Sequence, residues 1–261
     1  MNLNIIGKNA LIAGSTQGIG LAIAKELALL GADCTLIARN EEKLKEAVAS
    51  LDHSQGQRHG YLVADYSDYR HVEAVVSQWA ADKQIHILIN NSGGPAGGPI
   101  TDAQPEAFLQ AFQQHLICNQ LVTQALLPGM KAAGYGRIIN IISTSVKIPL
   151  KNLGVSNTIR AAVAGWAKTL SNEVAQYGIT VNNVLPGATA TARLESIIAN
   201  KAEKSAGSKE EAAAEMIAEI PMKRFGAPEE IAAMAAFLAS PAAGYVTGVS
   251  IPVDGGRTGS I

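Results

Sequence analysis

A set of glycines near the start of the chain is the clearest chemical feature of the sequence. The short apolar run Ala10–Ala13 leads into a glycine-rich segment, and apolar residues at helical spacing follow directly. Glycine permits a tight strand-to-helix turn that brings backbone N–H groups against a phosphate, whose charge the helix N-terminus favours. This context predicts a site for the pyrophosphate of a dinucleotide, although a glycine-rich connection without a ligand is the alternative. The residues assigned to the site are Gly14, Ser15, Gly18, Ile19 and Gly20.

The residue after the second apolar run, Cys34–Ala38, indicates which dinucleotide is bound. A carboxylate at this position would accept hydrogen bonds from a ribose 2′-hydroxyl, but the sequence has Arg39. A guanidinium presents planar donors suited to phosphate oxygens. Arg39, helped by Ser15, therefore predicts NADP(H) rather than NAD(H). The alternative is that Arg39 only stabilises the next helix or lies in solvent.

Apolar runs alternate with helical patterns along most of the chain, and the runs are continuous rather than alternating in polarity. Continuous apolar strands are buried on both faces, as in a parallel sheet with helices on each side. We therefore predict an α/β fold, a Rossmann-like doubly wound parallel sheet with helices on both faces, in one domain over residues 1–261. The predicted strands are Ala10–Ala13, Cys34–Ala38, Tyr61–Val63, Ile85–Ile89, Arg137–Ile142 and Ile179–Leu185. The predicted helices are Ile19–Leu30, Glu41–Leu51, Tyr69–Ala81, Pro105–Ala133 and Ser156–Tyr177.

One segment, Ala192–Lys223, breaks this alternation. It is helical in pattern, rich in Ala, Glu and Lys, and inserted between a strand and the next core helix. Insertions of this kind are often lids over a site. We predict a lid-like helical insertion at about residues 192–223, with an ordinary packed surface hairpin as the alternative.

Composition excludes several classes of function. The chain is 48% hydrophobic and 16% charged, which is too apolar for a disordered protein. Its net charge of −1 favours neither nucleic acid nor an anionic membrane as a partner. No apolar stretch approaches the roughly 18 residues of a membrane span, and Met1–Lys8 lacks the pattern of a secretory signal. Cys34 and Cys118 can form neither a disulfide framework nor a metal site, so we expect no metal and a cytoplasmic location.

Several motifs occur in an order that resembles the short-chain dehydrogenase/reductase family over about residues 5–256. Within that family the chain looks most like the bacterial 3-oxoacyl-acyl-carrier-protein reductases. The motifs are Gly14-x-x-x-Gly18-Ile19-Gly20, Asp65, Asn90–Gly94, Pro186-Gly187, Ile220–Gly226 before Pro228–Glu230, and Val246–Gly248 before Val253–Gly256.

The resemblance implies further contacts to the cofactor. Asp65 would hydrogen-bond the adenine, and Asn91 and Gly93 would line the adenosine side. The loop that begins Pro186-Gly187 would hold the nicotinamide carboxamide, with Thr191 in contact with it. The alternatives are that Asn91 and Gly93 only shape a turn and that Asp65 only caps the following helix.

The catalytic residues implied by the resemblance are only partly present. The family transfers hydride between a nicotinamide and a carbonyl, using a serine, a tyrosine thirteen residues later, a lysine four residues beyond it and an asparagine in the preceding long helix. Ser143 occupies the serine position. The tyrosine, lysine and asparagine positions fall on Ser156, Arg160 and His115.

These replacements change the acid chemistry. An aliphatic hydroxyl such as that of Ser156 is a far weaker acid than a phenol, and arginine stays charged and donates protons poorly. Arg160 can still hold the ribose and place positive charge where an oxyanion develops. The remaining candidates for the proton donor are His115, whose ordinary pKa near 6.5 suits the task, Lys147, Lys151, and a water ordered between Ser143 and Ser156. The alternatives are that His115 is a packing residue, that the two lysines are solvated side chains, and that Ser143 is a strand-end cap.

The sequence therefore supports two principal hypotheses. The first is an NADP-dependent oxidoreductase acting on a small carbonyl compound, an activated enone or an acyl thioester. The second is a catalytically inactive NADP-binding sensor or scaffold, and a nucleotide-independent structural subunit is a more remote third. The resemblance also implies a homo-oligomer, a dimer or tetramer, assembled through the two long helices and the last strand.

Overall fold

Seven strands, all paired in parallel, form the sheet of the computed structural model, which describes residues 1–205 and 207–259. They are β1 (Asn9–Ala13), β2 (Asp33–Ala38), β3 (Gly60–Val63), β4 (Ile87–Asn90), β5 (Gly136–Ile141), β6 (Ile179–Pro186) and β7 (Ser250–Val253). Their spatial order is β3-β2-β1-β4-β5-β6-β7. The order reverses between β1 and β4, and in such sheets ligands bind in the crevice beyond the carboxyl ends of the strands at this point.

Nine α-helices are found in the described part of the chain. They are α1 (Gly18–Leu29), α2 (Glu41–Ala49), α3 (Tyr69–Ala80), α4 (Pro105–Phe112), α5 (Cys118–Ala133), α6 (Gly154–Val174), α7 (Ala192–Ser205), α8 (Lys209–Ala218) and α9 (Pro228–Ala239). None of them is long and apolar enough to cross a membrane.

Two hydrophobic cores cover the two faces of the sheet. In β1, Ala10 and Ile12 belong to the core that also contains residues of α1, α2 and α9. Leu11 and Ala13 belong to the core shared with α3, α5 and α6. Successive side chains of a strand point to opposite faces, so both sets are apolar and the strand appears as one continuous apolar run. The predicted doubly wound α/β fold is confirmed.

The predicted single helix over Pro105–Ala133 is wrong in one respect. A π-helical turn, Gln113–Ile117, separates α4 from α5, and His115 lies in this turn. Apolar spacing continues through the turn, so the sequence pattern could not indicate it. Such insertions into helices are frequent at functional sites.

The insertion after β6 consists of two helices, α7 and α8. Lys201 of α7 and Glu215 of α8 are 2.8 Å apart in a salt bridge, and Ser208 and Glu211 form a capping box at the start of α8. Leu194, Ala202 and Ala212 are buried, so the two helices contribute apolar residues to the interior. Residue 206 of this segment lies outside the described residues. That the pair acts as a lid remains a prediction.

Candidate functional site

The loops after β1 and β4 meet where the strand order reverses. Asn91, the first residue after β4, donates from Nδ2 to the backbone oxygens of Ala13 at 3.2 Å and Gly14 at 3.1 Å. Gly14 has a φ of +58°, and a Cβ there would lie 2.6 Å from the Asn91 carbonyl oxygen. Glycine is therefore required at this position on both conformational and steric grounds. Asn91 thus fixes the glycine turn against β4.

The N-terminus of α1 is left without a side-chain cap. Gln17 makes no capping hydrogen bond and the first turn has no acidic residue, whereas Asn40 caps α2 and Asp68 caps α3. Gly18 takes a φ of +56°, and a Cβ on Gly20 would collide with the carbonyl oxygen of Gly14. Uncapped N–H groups suit an anion such as a pyrophosphate, and Gly20 lets α1 pack closely against the turn that presents them, so these residues fit a dinucleotide. Ser15, by contrast, is fully buried, and its Oγ has no hydrogen-bond partner within residues 1–205 and 207–259.

Arg39 and Asp65 lie at the neighbouring edge of the sheet. Arg39 follows β2 as an exposed side chain and has no ion-pair partner among the residues described. Hydrogen bonds from Ser67 lower the pKa of Asp65, and the charge of Arg39 acts in the same direction. The cap of α3 is Asp68 rather than Asp65, so the alternative that Asp65 caps this helix is wrong. Arg39 is thus available to an anionic group.

The loop after β6 reaches the glycine turn. Pro186 is the last residue of β6, and a Cβ on Gly187 would lie 2.7 Å from the Cα of Asp254. Thr191 accepts a hydrogen bond from the backbone N–H of Leu194, and its methyl group would be 3.3 Å from a Cβ on Gly18. A Cβ on Gly93 would have no neighbour within 4 Å, so that glycine borders open space.

The end of β5 brings the Ser143 and Arg160 positions together. Ser143 follows β5 after one residue, and its Oγ accepts a hydrogen bond of 3.1 Å from the Ser145 N–H, which is the strand-end cap considered above. Arg160, buried on α6, donates from Nη1 to the Ile141 carbonyl at 3.0 Å. Ser156 is half-buried one helical turn before Arg160, so the two side chains share a face of α6.

His115 is present at this end of the site, but as a neutral ring. Its Nδ1 shares a hydrogen bond of 2.7 Å with the Ser92 Oγ, and its Nε2 is buried with no partner in the described residues. Burial, followed by the charge of Arg160, lowers the pKa of His115 to about 3. The ordinary histidine pKa near 6.5, which makes histidine a suitable acid, therefore does not apply to His115 in the folded protein. Lys147 and Lys151, the other candidate donors, are exposed.

Two features at this edge of the sheet were not predicted from the sequence. Arg193, the second residue of α7, donates from Nη2 to the Pro95 carbonyl at 2.7 Å. Asn140 links Asn90 and Asn183 at the same register of β4, β5 and β6, through hydrogen bonds of 2.9 Å on each side. Asparagines within apolar strands were the available signal for the second feature. Groups of three or more potential metal ligands are absent from the residues described.

Comparison with known proteins shows that the chain is similar to oxidoreductases. A family described as enoyl-(acyl carrier protein) reductase matches residues 13–258. The 3-oxoacyl-(acyl-carrier-protein) reductase FabG of Haemophilus influenzae is 36% identical over 253 residues, which are 96% of this chain and 98% of that protein. The NADPH-dependent reductase BacG of Bacillus subtilis is 32% identical over 256 residues, 97% of this chain and 99% of that protein. L-sorbose reductase of Gluconobacter frateurii, solved with NADPH and L-sorbose, has a TM-score of 0.93 and 33% identity, with both chains fully covered.

Proposed function

The chain belongs to the short-chain dehydrogenase/reductase family, and we propose that it is an NADP(H)-dependent reductase of a carbonyl compound or an activated enone. The observation that carries this proposal is the intact nucleotide end of the site: an uncapped α1 beside the Gly14 turn, with the exposed Arg39 at the next strand end. The relatives named above are reductases, two of them linked to NADPH by name. The resemblance to 3-oxoacyl-acyl-carrier-protein reductases adds acyl thioesters to the candidate substrates.

The residues assigned to the cofactor surround this end of the sheet. The α1 N-terminus takes the pyrophosphate, Arg39 the 2′-phosphate, and Asp65 the adenine. Asn91 and Gly93 line the adenosine side. Pro186, Gly187 and Thr191 hold the carboxamide, and Arg160 holds the ribose. Ser15 needs a local rearrangement to reach a ligand, because its side chain is fully buried.

The chemistry of the reacting centre follows from Ser143 and Arg160. When bound, NADPH supplies the hydride. Ser143 donates a hydrogen bond to the substrate oxygen, and Arg160 stabilises the negative charge that develops on that oxygen. Arg160 is well placed for this because its own position is fixed by the Ile141 carbonyl.

The source of the proton decides between substrate classes. Neutral His115 has no proton to give as an imidazolium near neutral pH, and Lys147 and Lys151 are exposed. A water held between Ser143 and Ser156 is therefore the proton donor in this proposal. Such a weak acid suits an enone better than a simple ketone, because the enolate formed from an enone is a weaker base than an alkoxide.

A second function is favoured by the residues at the catalytic end. Without the tyrosine and lysine of the family, and with His115 neutral, the chain has the features of a catalytically inactive NADP-binding sensor or scaffold. In either case we propose a homo-oligomer, a dimer or tetramer. The hydrogen bond between Trp166 of α6 and Gln120 of α5 joins the two long helices that such an interface would use.

Turnover separates the two functions. Purified protein with NADPH is given diketones, 3-oxoacyl thioesters, quinones and enones, and the absorbance of the reduced nicotinamide is followed. The proposed reductase consumes NADPH with at least one class, and Ser143→Ala abolishes that turnover. Ser145→Ala is the matched control, because the Ser145 Oγ has no partner within the described residues and its loss leaves turnover intact. Tight NADPH binding without turnover of any class supports the sensor instead.

A further inference from the structure

Two arginines from different elements approach the same point of the site. A Cβ on Gly94, in the loop after β4, would lie 3.6 Å from Nη2 of Arg160 and 3.8 Å from Nη2 of Arg193. Arg160 comes from α6 and Arg193 from the inserted helix α7. The two guanidinium groups therefore border one small space next to Gly94.

Neither guanidinium has a carboxylate partner in the part of the chain that the structure describes. Within residues 1–205 and 207–259, no Asp or Glu lies within 4.0 Å of either group. Arg160 donates to the carbonyl of Ile141 and Arg193 to that of Pro95, and the described residues give neither guanidinium another hydrogen-bond acceptor. The Nε of Arg160 is buried and makes no hydrogen bond in the described part of the chain.

For Arg160, which is buried, this arrangement is unfavourable without a ligand, whereas Arg193 is exposed. A buried charge is costly unless it is paired, and the charge that acts on Arg160 is that of Arg193, which has the same sign. Burial and the charge of Arg193 both lower the pKa of Arg160, to about 10, so the group stays positive at neutral pH. The neighbouring His115 is neutral and supplies no negative charge. An anion between the arginines would offset this cost, since charge-assisted hydrogen bonds to guanidinium are among the strong ones.

The place of the two arginines distinguishes their ligand from the pyrophosphate. Arg160 is fixed at the end of β5, close to Ser143, whereas the glycine turn follows β1 and already offers the uncapped α1 N-terminus. We propose that Arg160 and Arg193 form a binding site for a carboxylate of the substrate, so that the reductase prefers keto acids or unsaturated oxo acids to neutral carbonyl compounds. This proposal rests on the proposed function, because it names the substrate class of the same site.

Pairs of acids and esters test the preference. Acetoacetate, 4-oxopentanoate and 4-oxo-2-pentenoate are each compared with their methyl esters, by turnover with NADPH and by calorimetric titration of the NADP+-saturated protein. Wild-type protein is expected to favour at least one acid over its ester by about tenfold or more in kcat/KM or in affinity. Arg193→Gln removes this advantage and leaves the ester within about twofold, because only the acid loses a charged partner. Arg193→Lys keeps part of it, since lysine retains the charge but not the planar donors.

A matched control and a cofactor titration complete the test. Arg70→Gln removes an exposed arginine of α3 and is expected to leave both acid and ester unchanged. Fluorescence titration with NADPH is expected to give the same affinity for Arg193→Gln as for wild type. A large loss of NADPH affinity in Arg193→Gln would mean that the pair serves a cofactor phosphate, which overturns the carboxylate site. Equal or undetectable binding and turnover of acid and ester in all three pairs also overturns it. Absence of NADPH binding by the wild type contradicts the proposed function instead.

Discussion

The Oγ of Ser92 and the Nδ1 of His115 lie 2.7 Å apart and share a hydrogen bond. This bond connects the loop after β4 to the π-helical turn Gln113–Ile117, so the insertion in the long helix is tied directly to the site. The other ring nitrogen, Nε2, is buried without a partner in the residues described. The ring is thus held in place by one hydrogen bond and surrounded by protein, near the charge of Arg160.

The buried state of His115 predicts how stability depends on pH. Its pKa is about 3 in the folded protein, against about 6.5 in an unfolded chain, so the unfolded state binds the extra proton between these values. The contribution of neutral His115 to the free energy of unfolding is therefore fully present above about pH 6.5 and is lost as the pH is lowered toward 3. We expect His115→Asn to reduce the loss of unfolding free energy between about pH 7 and pH 4 by roughly 1–3 kcal/mol, measured by urea denaturation at both values.

His71→Asn is the matched control for this measurement. His71 is an exposed histidine of α3, and its replacement is expected to leave the pH dependence as in the wild type. Equal pH slopes for wild type and His115→Asn would show that the ring titrates normally in the folded protein. That result would also restore His115 as a candidate acid for the reaction.

The exposed guanidinium of Arg39 predicts the choice of cofactor. Arg39→Ala is expected to raise the dissociation constant for NADPH by about tenfold or more, because it removes charge-assisted hydrogen bonds to the 2′-phosphate. The dissociation constant for NADH is expected to change little, since NADH lacks this phosphate. Fluorescence titration with both cofactors measures the two constants.

Lys45→Ala provides the comparison for Arg39→Ala. Lys45 is a nearby exposed cation on α2, but it is already paired with Glu41 and Glu42, at 3.3 and 3.0 Å. Replacing Lys45 is expected to change the affinity for NADPH and the affinity for NADH equally and only slightly. Equal losses of affinity for NADPH and NADH in Arg39→Ala would contradict the assignment of NADP(H) from this residue.

The sequence predicts the fold well because the fold depends on a repeated pattern. In β1, Leu11 and Ile12 point to different cores, so a run with no polar face indicates a buried parallel strand. The glycine turn could also be placed, because the positive φ values of Gly14 and Gly18 favour glycine at these positions. Each of these signals comes from residues adjacent in the chain, whereas the steric need for glycine at Gly14 comes from the distant Asn91.

The properties of the catalytic end depend on residues that are distant in the chain, and the sequence could not indicate them. The pKa of His115 is set by burial and by Arg160, and Arg193 is held by Pro95, 98 residues away. The π-helical turn likewise has no distinct apolar spacing of its own. The types of these residues were visible in the sequence, but not their neighbours.

The asparagine link across the sheet predicts a large effect on stability. Asn140 is fully buried, accepts a hydrogen bond from Asn90 and donates one to Asn183. Asn140→Ala would leave a buried donor and a buried acceptor unpaired, at about 1–3 kcal/mol each. We expect the free energy of unfolding to fall by roughly 2–5 kcal/mol in urea denaturation. Asn200→Ala, at an exposed position of α7, is the control and is expected to change it by less than about 0.5 kcal/mol. A small loss of unfolding free energy in Asn140→Ala would mean that water forms the hydrogen bonds of the missing amide.

Restoring the family's acid is the sharpest test of what the catalytic end has lost. In the double variant Ser156→Tyr/Arg160→Lys, a phenol and an ammonium stand one helical turn apart on α6, so the cation lowers the pKa of the phenol toward neutrality. The lysine keeps the positive charge of Arg160, which is held by the Ile141 carbonyl in the wild type. We expect the double variant to reduce simple ketones with NADPH, as followed by nicotinamide absorbance, at a rate well above that of the wild type.

The single variant Ser156→Tyr tests the effect of the acid alone, without the lysine. With Arg160 retained it keeps the positive charge beside the phenol, so it is expected to gain part of the activity of the double variant. Ile148→Tyr, which adds a phenol at an exposed position of the loop after β5, is expected to gain none. If the double variant binds NADPH as tightly as the wild type yet reduces no ketone, the loss is not confined to the proton donor. The remaining geometry around Ser143 is then unsuited to carbonyl reduction, and the sensor becomes the better account of the chain.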